Sequence, residues 1–340
     1  MKKTLTVAAA LLASVGVAGA AQARDQIRIV GSSTVYPFST TVAEAFGKAG
    51  KFKTPVVEST GTGGGMKLFC AGVGPDFPDI TNASRRIEPS EVEGCAKNGV
   101  TGITEVVVGY DGIVLVDSIK GPKFALTREQ LYKAAAKDVV IGGKLEANPY
   151  LKWNDISPAL PNEPIVIYGP APNHGTRDAF VDLVMEPACK AQPEIKALDK
   201  DAQKKACASV REDGGWVEVA ENYTTIYQKI VSTPSALGVI TFSYLDQNAD
   251  KIQAATVDGQ IATYDNIATG KYPVSRPLYF YVKKAHADQI PGVKEYIAEF
   301  TSEKAWGPNG YLVGKGLISL PDANRKSEAA NAAKLGDLKL

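Results

Sequence analysis

Histidine is nearly missing from this chain: only His174 and His286 occur among 340 residues. With so few imidazoles, no Cys-x-x-Cys pair and both histidines far from the cysteines in sequence, the composition offers no zinc-type ligand set. There is also no Gly-x-Ser-x-Gly elbow and no His/Asp cluster along the sequence, so hydrolysis through an activated nucleophile or a metal-bound water lacks its parts. Neither sign of charge is in excess, and the formal net charge is +1. No overall basic field exists to collect nucleic acid or an anionic membrane, and any anion site has to be local. Beyond residue 23 no apolar run approaches the ~20 residues that a bilayer span needs.

What is present starts with an export signature over residues 1–23. Lys2 and Lys3 supply a positive start, Thr6 to Ala18 an apolar stretch too short for a comfortable span, and Ala21-Gln22-Ala23 a small-residue cleavage site. Cleavage leaves 317 residues and moves the charge balance to −1. That length suggests two domains of ordinary size. Cys70, Cys95, Cys189 and Cys207 then sit in an oxidising compartment, where disulfides are expected. Three pairings are possible, and sequence neighbours make the cheapest partners: Cys70 with Cys95 and Cys189 with Cys207.

Short β-like runs alternate with amphipathic helical stretches: Gln26 to Val30, a helix over Tyr36 to Ala49, then Thr54 to Ser59. The alternation continues through Ile80, a helix opened by Pro89, and the valine-rich Thr104 to Tyr110, which predicts an α/β architecture with mostly parallel sheets. Ile113 to Val116 follows after only Asp111-Gly112, a succession that reads as the chain crossing between lobes. The middle repeats the logic with Ile165 to Tyr168, helices over Thr176 to Met185 and Ala220 to Ile230, and the strand Leu237 to Thr241. Arg276 to Val282 reads as the return to the first lobe, helices near Gly292 to Ser302 follow, and the Lys- and Ala-rich tail from Asn324 is expected to fray.

Three segments share one grammar, a strand end, then Ser, Thr and Gly, then a helix: Gly31-Ser32-Ser33-Thr34, Thr60-Gly61-Thr62-Gly63-Gly64-Gly65 and Asn173-His174-Gly175-Thr176. A helix start presents unpaired N–H groups and partial positive charge, and can hold an oxyanion without a cationic side chain. Each segment alone reads as readily as an ordinary cap or turn. Their joint placement at strand ends in both lobes is what suggests a site. Gly61 to Gly65 is not a nucleotide P-loop, because Met66-Lys67 follows with no hydroxyl residue next. A fourth segment, Asp79 to Arg86, sets Ser84 beside Arg85 and Arg86, and a guanidinium can grip two oxygens of an oxyanion at once. Asn82-Ala83-Ser84 also fits a glycosylation sequon, a triplet too common to carry weight.

With these motifs in hand, the chain resembles the phosphate-binding proteins of the Pst import system, within the type II periplasmic binding proteins. The resemblance rests on Gly31 to Phe38, Gly61 to Lys67, Asn82 to Arg85, Tyr110 to Val116, Gly175 to Phe180 and Tyr272 to Phe280. It implies a two-lobed α/β fold, with mixed sheets flanked by helices and the ligand in the interlobe cleft. Lobe I is expected over residues 24–111 and 272–340, and lobe II over 112–271. It implies a periplasmic monomer without cofactor that binds inorganic phosphate and docks on ABC permease subunits. The ligand positions it suggests are Thr34, Val35, Gly63, Arg85, His174, Gly175 and Thr176, and our reading of the residues adds Ser33, Thr62, Ser84, Asp111 and Arg177.

This sequence departs from the family pattern in several places. Gly63 stands where a serine is frequent, so that Thr62 is the candidate hydroxyl; His174 replaces a serine; and Pro170 replaces an arginine. The missing arginine leaves the ligand's charge to Arg85 or Arg177. Some members carry aspartate where Arg85 stands, to accept the proton that phosphate keeps and sulfate lacks. Asp111 is the candidate substitute. The same fold could instead carry sulfate, molybdate, phosphonate or arsenate, and a periplasmic phosphatase or a surface adhesion or signalling module are the remaining alternatives.

Overall fold

A computed structural model describes residues 24–172, 174–219 and 223–340. The export signature of residues 1–23 lies outside them, as does the start of the helix expected from Ala220. Nine strands form the main sheet: β1 Arg28–Gly31, β2 Val56–Ser59, β3 Ile80–Ala83, β4 Ile103–Ser118, β5 Ile167–Pro170, β6 Trp216–Val219, β7 Leu237–Thr241, β8 Ile252–Ala254 and β9 Ser275–Lys283. Their order is β2-β1-β3-β9-β4-β7-β5-β6, with β8 paired to β4. The β1–β2, β1–β3, β5–β6 and β5–β7 pairs are parallel, while β9 and β4 run antiparallel to their neighbours. The α/β class is the one observed, and the sheet is mixed, as the resemblance implies, rather than mostly parallel as the alternation alone suggests, because β9 and β4 run against their neighbours.

The apolar runs explain where these strands lie. β3 and β7 are buried along their whole length, and β4 is buried or half-buried throughout, as continuous apolar strands covered on both faces should be. The two extended segments read on either side of Asp111-Gly112 are one strand of 16 residues. Gly112 allows this continuity: a Cβ there would stand 2.9 Å from Ile318 Cδ1 and 3.0 Å from Ile267 Cδ1. Along β4 the side chains pass from one core, which holds Val106 and Val108, to another, which begins at Ile113. The first core is built from residues 27–108 and 278–332, the second from 113–274 together with Ile318.

Flanking helices begin with α1 Tyr36–Lys48, whose Pro37 suits a first turn, α2 Thr62–Phe69 and α3 Pro89–Lys97. α4 covers Gly175–Phe180 and continues into a π-helical turn, Val181–Met185. The sequence reading had one regular helix here. Pro187 explains the change, because it cannot donate to a carbonyl four residues back, and the wider turn accommodates the loss. α5 covers Tyr223–Ser232. Disulfides join Cys70 to Cys95 and Cys189 to Cys207. Asn82 is buried in β3, where its Oδ1 accepts from Ser39 Oγ at 3.1 Å, which removes the sequon as a modification site.

The tail does not fray. Asp322–Ala333 forms a helix, α6, held by polar contacts that periodicity could not reveal. Arg325 is buried and donates to the Leu320 carbonyl at 2.8 Å and to both Glu303 oxygens at 2.9 and 3.0 Å. Glu328 accepts the Val107 N–H at 3.1 Å, beside a register shift between β4 and β9, and Asn331 donates to the Glu105 carbonyl at 2.9 Å. Arg325→Ala should therefore cost about 2 kcal/mol in urea unfolding, since it strips a buried carbonyl of its donor. A change below ~0.5 kcal/mol would mean that the tail is loosely held after all.

Candidate functional site

The site is assembled where strand ends of both cores approach each other. β1 ends at Gly31, whose φ of +123° and close approach to Asn82 demand glycine: a Cβ would lie 2.2 Å from the Asn82 carbonyl oxygen. The first turn of α2 packs on the same spot, with a Gly65 Cβ position only 2.4 Å from Gly31 Cα. The Gly-rich pentad is thus mostly helix, with Gly61 as its cap, and the glycines serve close packing first. Thr62 Oγ1 contacts Ser84 Oγ and accepts the Ser84 N–H, both at 3.1 Å, which ties this helix start to the end of β3.

Ser32 is buried, and its Oγ accepts the N–H groups of Thr34 and Val35 at 3.2 and 3.4 Å, as a plain cap would. The next two hydroxyls line the cleft. Ser33 Oγ donates to the Asp178 carboxylate on α4, and Thr34 Oγ1 accepts from Arg276 Nη2 at 2.9 Å. α4 meets this loop directly: a Cβ on Gly175 would lie 3.0 Å from Thr34 Cα. His174 caps α4, its Nδ1 accepting the Thr176 N–H at 3.1 Å, while Thr176 Oγ1 pairs with the Tyr223 hydroxyl at 2.5 Å. Burial pushes the Tyr223 phenol far up, so it stays a neutral hydroxyl.

Arg276 is the centre of charge. It lies on β9 directly opposite Asp111 on β4 in the antiparallel register, so their side chains share one face of the sheet. Its Nη1 donates to Asp182 Oδ2 at 2.8 Å, and its Nε stands 3.8 Å from Asp111 Oδ2. Asp111 is buried, and Oδ2 has no hydrogen-bond partner among the described residues. Desolvation lifts its pKa to about 6; Arg276 pulls it down, and Asp182 adds to the lift.

A cleft of about 940 Å³ opens beside these groups, and Ser33, Thr34, Thr62, Ser84, Arg85 and Arg177 of the expected set line it. Gly175, Thr176 and Asp111 lie behind that wall, joined to it through Thr34 and Arg276. Val35 is fully buried in the first core, which its apolar side chain dictates, and Gly63 opens on a separate groove along α2 and α3.

The two arginines expected to carry the ligand's charge are both engaged elsewhere. Arg85 makes a two-pronged pair with Glu91 at 2.8 and 2.9 Å, and Glu91 also belongs to the cap of α3. Arg177 lies over the Trp216 ring at 4.6 Å and 3.6 Å from Glu218. Arg276 was inside a motif that the sequence reading singled out, yet it received no role. The available signal was a cation at the head of an otherwise apolar and aromatic strand. Asp178 and Asp182, four residues apart, could have been found as one helix face.

A His/Asp contact that the sequence reading did not anticipate also forms. His286 Nδ1 lies 2.7 Å from Asp79 Oδ1, its Nε2 accepts the Gly74 N–H at 2.9 Å, and Asp79 also takes Arg24 and the Arg28 N–H. Both side chains are fully buried, and the contact bridges 207 residues of chain. It ties β3 and the end of β9 together and touches no cleft. Among the described residues, no cluster of three or more potential metal ligands occurs, and no helix is long and apolar enough to cross a membrane.

Comparison with known proteins gives a consistent pattern. The sequence profile of the PBP superfamily domain matches residues 16–304. The chain is 30% identical to protein SphX of Synechococcus elongatus over 332 residues, covering 94% of this chain and 85% of that one. It is 26% identical to the phosphate-binding protein PstS of Staphylococcus saprophyticus, covering 95% and 88%. Among solved structures, a possible phosphate binding protein from Planctomyces limnophilus superposes with a TM-score of 0.73 at 28% identity, covering 91% of this chain and 98% of the other.

The raised Asp111 pKa sets a test of stability against pH. Its carboxylate is held charged at a cost above pH 6, and that cost vanishes once the group is protonated in both folded and unfolded chains, near pH 4. Asp111→Asn should stabilise the phosphate-stripped protein by on the order of 2 kcal/mol at pH 8, with the gain shrinking toward zero by pH 4. Thermal melts across that range measure it, and a gain that grows as pH falls would reverse the assignment.

Proposed function

The chain belongs to the PBP superfamily, and from that premise we propose that its cleft captures inorganic phosphate and delivers it to an ABC-type importer. The observation that carries this reading is the cross-strand pair of Arg276 and Asp111, with the Thr34 hydroxyl on Arg276, the Ser33 hydroxyl beside it on Asp178, and Gly175-Thr176 packed against Thr34. A guanidinium binds the anion's oxygens, hydroxyls donate to the rest, and a buried carboxylate takes a hydrogen bond from a ligand that still carries a proton. Sulfate brings no proton at neutral pH and would set an oxygen against the Asp111 carboxylate.

We take residues 24–111 and 272–340 as lobe I and 112–271 as lobe II, in keeping with the two cores. Phosphate bridges the lobes, and closure removes water from around it, so that each polar contact gains strength in a medium of lower dielectric. The work is capture, with no bond made or broken. Export through residues 1–23 puts the protein in the periplasm, where as a monomer it meets the permease subunits.

Titration calorimetry on mature, phosphate-stripped protein tests the reading. Phosphate should bind and sulfate should give no heat at pH 7.5. Arg276→Ala should weaken phosphate by about a hundredfold or more, because it removes charge-assisted bonds in a water-poor site. Asp111→Asn should weaken phosphate and bring sulfate binding into range. Sulfate binding by the unaltered protein would remove Asp111 from its role, and an Arg276→Ala protein that binds normally would move the site elsewhere.

A further inference from the structure

The cleft holds carboxylates exactly where an anion site would seem to want none, and two of them engage the donors of the opposite wall. Asp178 takes the Ser33 hydroxyl, and one helical turn later Asp182 takes Arg276 Nη1 at 2.8 Å. Both acidic residues belong to the helical segment that starts at His174, and both of their partners belong to the other side of the cleft.

Counting the N–H groups of Arg276 shows what this means for a ligand. Nη1 gives one of its two N–H groups to Asp182, Nη2 one of its two to Thr34 at 2.9 Å, and the single Nε–H faces Asp111 at 3.8 Å without a hydrogen bond. An oxyanion gripped by a guanidinium takes two neighbouring N–H groups in parallel. Asp182 sits at the Nη1 end and Asp111 faces Nε, so an oxyanion that takes two neighbouring N–H groups of Arg276 meets one carboxylate or the other. The Asp182 side chain is 48% exposed whereas that of Arg276 is 11% exposed. Asp182 can therefore turn into water at small cost, while Arg276 and Asp111 are fixed by the sheet register.

The backbone supports the same distinction. Asp182 sits in the π-helical turn Val181–Met185, where the regular bonding pattern is relaxed ahead of Pro187. A carboxylate on such a turn is easier to move than one on a strand.

We propose that Asp182 is a built-in competitor of the ligand: its carboxylate occupies the Arg276 guanidinium edge that the incoming oxyanion takes, and it sets the affinity by how readily it is displaced. This rests on the reading of the cleft as a phosphate site. It makes capture an exchange of one anion for another on the same cation. Arg276 then keeps a counter-charge at every stage, and the cost of a buried unpaired cation is avoided. The exchange also filters ligands, because a weakly held anion does not displace an attached carboxylate that is always present.

The test is calorimetric titration of phosphate into the phosphate-stripped protein, Asp182→Asn and Glu186→Gln at pH 7.5. Glu186 lines the same cleft and pairs with Lys190, so its loss removes an equal charge without touching Arg276. Asp182→Asn should bind phosphate about five- to tenfold tighter, the range expected for release of a half-exposed ion pair. Glu186→Gln should stay within about twofold of the unaltered protein. Unchanged or weaker binding by Asp182→Asn would overturn the proposal and make Asp182 a positioning residue for Arg276. An equal gain in Glu186→Gln would overturn it in favour of the general field of the cleft. Absence of phosphate binding by the unaltered protein would remove the phosphate reading and this one with it, and that outcome is distinct because it appears before any substitution is made.

Discussion

The pairing of Arg276 with Asp111 across two antiparallel strands is the contact on which the rest of this structure depends. Both residues are largely withdrawn from water, and Arg276 offsets part of the desolvation that raises the Asp111 carboxyl. Their register decides everything near them. A slip of one residue would carry Arg276 to the opposite face of the sheet and leave Asp111 with no cation. Two features hold the register: Pro277, which cannot donate to a ladder, and the shift between Leu278 and Tyr279, which fixes how the longer part of β9 meets β4. The α6 side chain Glu328 secures the same region by taking the Val107 N–H. The tail thus belongs to the machinery that positions the site, although it lies far from it in sequence.

From that contact follows the electrostatic character of the cleft. The chain as a whole is close to neutral, and the cleft is not a simple positive funnel. Arg85 answers Glu91, Arg177 answers Glu218 and lies on Trp216, and Arg276 stands among Asp111, Asp182 and the Thr34 hydroxyl. Such a surface gains little from long-range attraction, which salt would screen within about 10 Å in any case. Discrimination has to come from short-range geometry, from which groups donate, which accept, and which can be displaced. A binding protein for an oxyanion that exists in two protonation states is better served by that arrangement than by bulk positive charge, because charge alone does not tell phosphate from sulfate.

The fold was legible in the sequence to the extent that it depends on local pattern. Tyr36 to Ala49, Leu237 to Thr241 and Arg276 to Val282 were readable because propensity and periodicity agree there, and the observed elements lie within two residues of those limits. The α/β class followed from the alternation of elements, whereas the mixed pairing of the sheet came only with the resemblance. What could not be read depends on partners distant in sequence. The helix at Asp322 to Ala333 is weakly amphipathic and owes its order to Glu303, Glu105 and Val107. The His286–Asp79 contact needed the sheet before it could exist. At the site, the hydroxyls of Ser33, Thr34, Thr62 and Ser84 were found because loop grammar marks helix starts. The Arg85–Glu91 pair was not legible, because a guanidinium beside a serine looks the same in sequence whether it meets a ligand or a glutamate six residues on.

Arg276 also accounts for a departure that was otherwise hard to reconcile. The resemblance places an arginine ahead of the Gly175-Thr176 turn, and this chain has Pro170 there, at the end of β5. Proline suits that position structurally, since it needs no N–H at a strand end. Arg276 instead enters the cleft from β9, where its guanidinium meets Thr34 and Asp182, and Gly175 brings α4 within contact of Thr34. The cation is mounted on a strand, which fixes it against Asp111, while its other carboxylate partner, Asp182, is mounted on the π-helical turn. How firmly each group is held follows from the secondary structure on which its residue sits.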